Sequence, residues 1–200
     1  MRTRNQSVQI RQMVLASLLM AIIAVMGFTP IGYIKIGPLL EITFLMIPVA
    51  IGAVSMGKGW GTFLGGVFGM TSFVQCVTVS PFGAALLGIN PVYTFIVCMV
   101  PRLLVGFLSG LIFEALSKVD KTRIVSFAVA TASAALVNTV GFISLLILFF
   151  ANTEAVGDPV NLITTTLIVN SILELVVCCV VGTALGKTLT HFIPNLRNKK

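Results

Sequence analysis

Residues 97–107 read VCMVPRLLVGF and place one arginine, Arg102, among apolar side chains. The sequence from Gly59 to Pro101 contains no Asp, Glu, Lys or Arg. A charge inside such a run is costly in lipid, and it nearly always faces a cavity or a polar partner. Arg102 therefore marks either a structural brace or a binding site.

The overall composition is that of a membrane protein. The chain has 200 residues, of which 57% are hydrophobic and only 10% are charged, and its mean hydropathy is +1.07. Soluble domains carry about 25% charged residues. Too few polar side chains are present to cover a water-soluble globule, so the sequence predicts an all-α integral membrane protein with a single domain over residues 1–200.

Six transmembrane helices are predicted from apolar runs long enough to cross about 30 Å of hydrocarbon. Between them lie short breaks, including an uncharged apolar loop, TVSPFGAALLGINP, before the fourth helix. The first run continues into its surroundings without a convincing cleavage site, so we expect a membrane helix there and not a signal peptide. The predicted helices cover residues 11–28, 40–56, 59–77, 91–117, 123–150 and 160–191.

The basic residues predict the orientation. The net charge is +7, but the basic residues lie at the ends of the apolar runs and form no nucleic-acid-binding face. With a cytoplasmic N-terminus, the opposite side holds only one of them, Lys35. This asymmetry predicts that both termini are cytoplasmic. The cytoplasmic set is Arg2, Arg4, Arg11, Lys58, Lys118, Lys121, Arg123, Lys187, Arg197, Lys199 and Lys200.

Small residues at four-residue spacing predict close helix packing. Glycines recur along the third helix at positions 57, 61, 65 and 69, and the first helix carries Ser17 and Ala21 with Ala24 nearby. Such stripes let two backbones approach in lipid, where helices gain little from hydrophobic burial. We expect the glycine stripe to pack within the chain, although contact with a second subunit remains open.

Four polar residues from three predicted helices lie at one depth. Arg102, Asn138, Asn170 and Glu174 all fall about 15–21 Å below the outer surface at ~1.5 Å per residue. Asn170 and Glu174 share a helix face because they are four residues apart. Arg102 either pairs with Glu174 as a brace or offers its planar guanidinium to an anionic ligand, with the other polar residues completing the hydrogen bonds.

The outer ends of the helices supply a predicted lid and mouth. The break GYIKIGP combines glycines with apolar side chains, and the loop around residues 82–88 is equally apolar, which suggests that both fold over something. We expect Glu41 to open the second helix, where a negative charge suits the helix dipole. The lid residues are Tyr33, Ile34, Lys35 and Ile36, and the further candidate contacts at the mouth are Gln75, Asn90 and Tyr93, each of which also fits an ordinary interfacial position.

Enzyme and pump motifs are absent from the sequence. It contains no HExxH, no Gly-x-Ser-x-Gly and no phosphate-binding Gly-x-x-x-x-Gly-Lys-Ser/Thr. The four cysteines lie in apolar runs without metal-ligand spacing, and we interpret them as small buried side chains. The sequence therefore predicts neither an enzyme nor a self-sufficient ATP-driven pump.

Two stretches resemble the S components of energy-coupling factor (ECF) vitamin transporters. They are GFTPIGYIKIGPLLEITFLMIPVAIGAVSMGKGWGTFLGGVFGMTSF at 27–73 and VPRLLVGFLSGLIFEALSK at 100–118. The likeness covers nearly the whole chain and is greatest to the pantothenate-specific group. It implies a multi-pass protein of a prokaryotic plasma membrane that binds a vitamin at high affinity and has no catalytic activity or cofactor.

The resemblance also implies partners and roles for residues. The chain would work with a transmembrane coupling subunit and two cytoplasmic ATPases, which use the ATP. The family docks on the coupling subunit through an Ala-x-x-x-Ala motif, for which the nearest match is Ser17-x-x-x-Ala21, with serine in place of alanine. The first loop of the family gates the substrate site, in agreement with a lid at Tyr33–Ile36.

Several alternatives remain open from the sequence. Folate, riboflavin or another vitamin could replace pantothenate, since other anionic vitamins would also favour an arginine. A stand-alone membrane carrier is a second alternative. A non-transporting membrane scaffold, in which Arg102 and Glu174 only brace each other, is the alternative of a different class.

Overall fold

The computed structural model describes residues 2–29, 32–36, 40–120, 124–151 and 171–192, with only the backbone described at 2–8, 33–36, 40–42, 171 and 185–192. Seven helices and two short strands make up these residues. In chain order they are α1 (Arg2–Phe28), β1 (Tyr33–Ile36), β2 (Leu40–Thr43), α2 (Met46–Met56), α3 (Lys58–Thr78), α4 (Pro81–Ile89), α5 (Pro91–Leu116), α6 (Ile124–Phe150) and α7 (Ser171–Phe192).

Helix α2 lies at the centre of the bundle. Nine of its eleven residues are buried, and a helix that is apolar on all sides belongs in a core. It shares a hydrophobic cluster with one side chain or more from each surrounding long helix, among them Ile23 of α1, Phe68 of α3, Val105 of α5 and Ala134 of α6. The other long helices therefore pack around α2.

Helices α3 and α5 approach each other backbone to backbone. A Cβ atom on Gly65 would overlap the carbonyl oxygen of Arg102, and one on Gly106 would overlap the carbonyl oxygen of Gly61. A Cβ on Gly69 would lie 2.6 Å from the Met99 sulfur. The prediction that the glycine stripe packs within the chain is confirmed for Gly61, Gly65 and Gly69, and their partner is α5. Gly57 precedes α3, and a Cβ there would meet only the Glu114 side chain at 3.8 Å.

Gly57 is the only link between α2 and α3. Its φ of 102° and ψ of 168° lie in a region that is accessible almost only to glycine. Its N–H donates to the carbonyl of Ala53, which closes the end of α2. The chain therefore reverses from α2 into α3 without a loop.

The prediction of a helix from residue 40 is wrong, because residues 40–43 form β2. Strand β2 pairs antiparallel with β1, so that Tyr33 lies opposite Thr43 and Lys35 opposite Glu41. Glu41 therefore lies in a strand and does not open the second helix. The β-branched residues Ile42 and Thr43 suit a strand, and the neighbouring strand supplies the backbone hydrogen bonds.

The predicted loop before the fourth long helix is also wrong, because it contains α4. Ser80 accepts a hydrogen bond from the N–H of Gly83 at 3.2 Å, and Pro81 occupies the first helical turn. Both features are typical of a helix N-terminus, and they explain why this segment is helical although its composition resembles that of a loop. Helix α4 bends by 89° from α3, and Leu86 joins Val97 and Leu146 in one buried cluster.

Three of the described helices are long and apolar enough to cross a membrane. They are α1 over Gln9–Phe28, α5 over Pro91–Leu116 and α6 over Ile124–Phe150. Helices α3 and α4 pass the same test together as a bent pair. Helix α2, with eleven residues, measures about 16 Å at ~1.5 Å per residue and is too short to cross alone.

The remaining boundaries fall close to the predictions. Helices α5 and α6 differ from them by one residue at an end, whereas α1 begins nine residues earlier than the predicted start at Arg11. Residues 160–170 of the predicted sixth helix lie outside the described residues, and the described part of that helix begins at Ser171.

We predict that Gly65→Ala lowers the thermal unfolding midpoint of the purified protein in detergent. The added methyl group meets the backbone of α5, and such overpacking costs about 1–3 kcal/mol. Gly59→Ala is the matched control, because a Cβ on this glycine of the same helix meets nothing within 4 Å. Equal stability of the two variants would contradict the close α3–α5 contact.

Candidate functional site

Arg102 is buried in α5, and its side chain supplies a hydrogen bond that the backbone of the same helix lacks. Pro101 has no N–H, so the carbonyl four residues earlier, at Val97, loses its helical donor. The Arg102 Nη1 donates to that carbonyl oxygen at 2.9 Å. The Pro-Arg pair therefore holds the guanidinium against its helix in a fixed orientation.

Two phenylalanine rings flank the guanidinium. The Cζ of Arg102 lies 5.5 Å from the ring centroid of Phe68 on α3 and 5.0 Å from that of Phe142 on α6. An arginine within about 6 Å of a ring centroid is attracted by the ring quadrupole. Aromatic contacts from two neighbouring helices thus stabilise the charge without using its N–H donors.

Two buried polar atoms at this site lack hydrogen-bond partners. They are the Nε of Arg102 and the Oδ1 of Asn138, and their residues are only 9% and 6% exposed. They are the only such side-chain atoms found among the described residues. A buried donor or acceptor without a partner costs about 1–3 kcal/mol, and both atoms could hydrogen-bond to a polar ligand.

Glu174 binds two groups from different elements. Its Oε1 accepts from the backbone N–H of Thr43 at 2.9 Å, and its Oε2 accepts from the Thr139 hydroxyl at 3.2 Å. Glu174 is only 2% exposed. The carboxylate therefore ties α7 both to α6 and to the end of the β-hairpin.

Arg102 and Glu174 do not pair directly in this structure. Within the described ranges, the ion pair with a nitrogen–oxygen distance under 4.0 Å is Lys58–Glu114, at 3.5 Å on the surface. Arg102 instead contacts a carbonyl and two rings, and Glu174 binds an amide and a hydroxyl. The brace considered for Arg102 and Glu174 is not formed here as an ion pair.

The predicted cluster comes together on one turn of α6. Arg102 reaches Phe142, Glu174 reaches Thr139, and Asn138 directly precedes Thr139, so these three positions of α6 fall within five residues. Residues three and four apart share a helix face. The structure thus places Arg102, Asn138 and Glu174 at one level of the bundle, while Asn170 lies outside the described residues.

The three candidates at the mouth have local structural roles. The Oδ1 of Asn90 accepts from the N–H groups of Val92 and Tyr93 and so caps α5. The ring of Tyr93 stacks on Phe149 with centroids 4.6 Å apart, and Gln75 Nε2 donates to the carbonyl oxygen of Gly27. None of these contacts joins Asn90, Tyr93 or Gln75 to the Arg102 cluster.

The predicted lid residues form β1. Tyr33, Ile34, Lys35 and Ile36 pair with β2, and Tyr33 lies opposite Thr43, whose N–H binds Glu174. The hairpin is thus held to the polar cluster by the hydrogen bond from the Thr43 backbone N–H to the Glu174 side chain.

The small residues of α1 point away from the core. Ser17 and Ala21 are exposed and Ala24 is partly exposed, whereas Ala16, Leu19 and Ile23 are buried. The Ser17 hydroxyl donates to the carbonyl of Met13 at 2.9 Å, which satisfies it within α1. This face is exposed in the structure.

A separate apolar groove of about 630 Å³ follows α3 and α5 on the outside of the bundle. Phe28, Phe63, Met70, Val74, Met99 and Leu103 are among its lining residues. Arg102, Asn138 and Glu174 do not line it, so the groove is distinct from the polar cluster. Among the described residues, no group of three or more His, Cys, Asp or Glu side chains could hold a metal ion.

Sequence reasoning missed four contributors to the cluster: Phe68, Phe142, Thr139 and the backbone of Thr43. Phe142 lies one helical turn after Asn138, so its position on the same helix face could have been predicted from the sequence. Thr139 and Phe68 carried no such signal, because threonine and phenylalanine are ordinary in membrane helices. The Thr43 N–H became available only through the unexpected strand β2.

Comparison with known proteins supports a transport role. The family described as "ECF transporter, substrate-specific component" matches residues 11–185. The chain is 30% identical over 180 residues to the pantothenate transporter PanT of Leuconostoc mesenteroides, covering 86% of this chain and 85% of that protein. It is 29% identical over 157 residues to the pantothenic acid transporter PanT of Lactococcus lactis subsp. cremoris, covering 74% and 77% of the two chains.

The family match extends over most of the chain and confirms the resemblance seen in the sequence. The chain therefore belongs to the substrate-specific components of ECF transporters and is a membrane transport protein, not an enzyme.

Proposed function

We propose that this chain binds pantothenate and mediates its uptake, with Arg102 as the carboxylate-binding group. The observation that carries the proposal is the pair of buried, unpartnered atoms, Arg102 Nε and Asn138 Oδ1. One is a charged donor and the other a neutral acceptor. The names of the two PanT relatives agree with this ligand.

The chemistry of pantothenate matches both atoms. Its carboxylate would accept from the Nε of Arg102, and charge-assisted bonds of this kind are among the strong ones. Its hydroxyl and amide groups are donors for the Oδ1 of Asn138. Asn170 and Glu174 are proposed as further contacts, although Glu174 already has two partners, while Gln75, Asn90 and Tyr93 are proposed only as outer contacts at the entrance.

The hairpin is the proposed gate. Its residues Tyr33–Ile36 are paired to a strand whose end binds Glu174. If the hairpin moves, either this hydrogen bond breaks or Glu174 moves with the hairpin. Glu174 would thus connect the entrance to the same turn of α6 that presents Asn138.

The proposed assembly places the chain with a transmembrane coupling subunit and two cytoplasmic ATPases in a prokaryotic plasma membrane. The open face of α1 with Ser17, Ala21 and Ala24 is the proposed docking surface, because small residues let another helix approach closely. The ATPases would supply the energy, so this chain needs no cofactor.

The proposed topology is one domain over residues 1–200 with six membrane crossings, of which the second is made by β2 and α2 together, and with both termini in the cytoplasm. The lopsided distribution of Lys and Arg supports this orientation. Lys58, the first residue of α3, would lie on the cytoplasmic side, where it pairs with Glu114 near the end of α5.

We predict that Arg102→Ala weakens pantothenate binding by about 100-fold or more, measured by calorimetry on purified protein. Truncating one member of a buried, hydrogen-bonded charge pair costs about 2–5 kcal/mol. Ser109→Ala is the matched control, since Ser109 is equally buried on α5 but donates only to carbonyls of its own helix. Wild-type affinity in a folded Arg102→Ala protein would refute the assignment.

A panel of vitamins tests the substrate separately. Pantothenate, folate, riboflavin and pyridoxine are titrated into the wild-type protein, and we expect tight binding of pantothenate alone. Tight binding of a different vitamin would contradict the pantothenate proposal and leave the family membership intact.

We predict that Asn138→Leu weakens pantothenate binding about tenfold without loss of stability. A hydrogen bond to the ligand disappears, worth ~1.4 kcal/mol, whereas the Oδ1 that the protein itself loses has no partner. Calorimetry and thermal unfolding are measured on the same sample. A variant that unfolds more easily yet binds normally would show that Asn138 has a structural role instead.

We predict that Ser17→Leu combined with Ala21→Leu blocks assembly with the coupling subunit but preserves vitamin binding. Two large side chains would hold a partner helix away from α1. Assembly is measured by co-purification with the coupling subunit. Uptake is measured in cells with radiolabelled vitamin. Val140→Leu, on an exposed position of α6, is the control, and normal assembly of the double variant would refute docking at this face.

A further inference from the structure

We propose that Cys76 and Cys98 are a site of reversible oxidation that forms a disulfide between α3 and α5. Their Sγ atoms lie 3.6 Å apart in van der Waals contact. In a disulfide the two sulfurs lie about 2.05 Å apart. The inference concerns the protein itself and does not depend on which vitamin it binds.

The helix packing explains why these thiols meet. Cys76 follows Gly69 by seven residues, or two helical turns, so both lie on the side of α3 that faces α5. A Cβ on Gly69 would already lie 3.2 Å from the carbonyl oxygen of Cys98. The close approach of the two backbones therefore fixes the spacing at which the thiols face each other.

Helix α4 packs against one side of the thiol pair, at Cys76. A Cβ on Gly83 would come within 2.6 Å of both the Cα and the Sγ of Cys76. Cys98 is only 3% exposed, whereas Cys76 is partly exposed. Cys76 is thus the thiol that an oxidant from solution reaches first.

Hydrogen peroxide is the proposed oxidant, and the chemistry balances in two steps. Peroxide transfers one oxygen to the Cys76 sulfur, which gives a sulfenic acid and one water. The Cys98 sulfur then attacks the Cys76 sulfur, the S–S bond forms, and the oxygen leaves as a second water with the thiol proton. Peroxide is reduced and two thiols are oxidised, and a dithiol reductant reverses the change.

The disulfide would fasten the helices beside the polar cluster. Cys98 lies one helical turn before Arg102 on α5, and Phe68 on α3 packs over the Arg102 guanidinium. A link between Cys76 and Cys98 would therefore hold the two helices that build this contact. In the proposed orientation this end of the bundle faces the oxidising exterior of the cell.

The test uses a protein in which Cys178 and Cys179 are replaced by alanine, so that only the proposed pair can react. After treatment with hydrogen peroxide, we expect intact-mass measurement to show a monomer lighter by two hydrogen atoms. Its thermal unfolding midpoint should rise by several degrees, because the cross-link constrains the unfolded chain. Dithiothreitol should reverse both changes, and Cys76→Ser or Cys98→Ser should abolish them.

Peptide mapping of the peroxide-treated wild-type protein is the second measurement. It tests the proposal even if the protein with Cys178 and Cys179 replaced by alanine does not fold. A peptide pair joined through Cys76 and Cys98 supports the proposal. Retention of both thiols, a disulfide through Cys178 or Cys179, or a linked protein of unchanged stability would overturn it.

Discussion

The close approach of α3 and α5 is the constraint on which the rest of the structure depends. Glycines on both helices let backbone meet backbone, with Gly65 against Arg102 and Gly61 against Gly106. In lipid, where apolar burial gives little drive for association, such contact is a main source of helix packing. It brings Phe68 over the Arg102 guanidinium, and it sets Cys76 opposite Cys98. One packing motif therefore determines both the polar cluster and the thiol pair.

Arg102 is costly to bury, and the way it is held explains how it remains available to a ligand. The Val97 carbonyl freed by Pro101 takes one of its donors, and two aromatic rings cover its faces. Its Nε keeps no partner, and neither does the nearby acceptor of Asn138. Glu174 has its own partners on α6 and the hairpin. This division leaves a donor and an acceptor without partners on neighbouring helices, as the proposed binding of a polar anion requires.

Much of this arrangement could be predicted from the sequence. The level shared by Arg102, Asn138 and Glu174 followed from helix geometry, because long apolar runs fix depth along the chain. The four-residue glycine spacing likewise indicated a close helix contact. Strand β2 and helix α4 could not be read in the same way. Residues 40–43 lead into the apolar run of α2 and become a strand only through pairing with β1. Helix α4 depends on a cap and a proline within a short segment. Thr139 shows the limit most clearly: Thr131 on the same helix donates only to its own backbone, and nothing in the sequence distinguishes the two.

An experimental structure of the protein with bound pantothenate would test the central claim most directly. We expect a carboxylate oxygen of the ligand within hydrogen-bond distance of the Arg102 Nε, and a ligand hydroxyl or amide donating to Asn138 Oδ1. Both atoms, which have no partner within the protein, would then be hydrogen-bonded to the ligand. A vitamin bound elsewhere, with Arg102 still held only by Val97 and the two rings, would contradict the assignment of this cluster as the binding site.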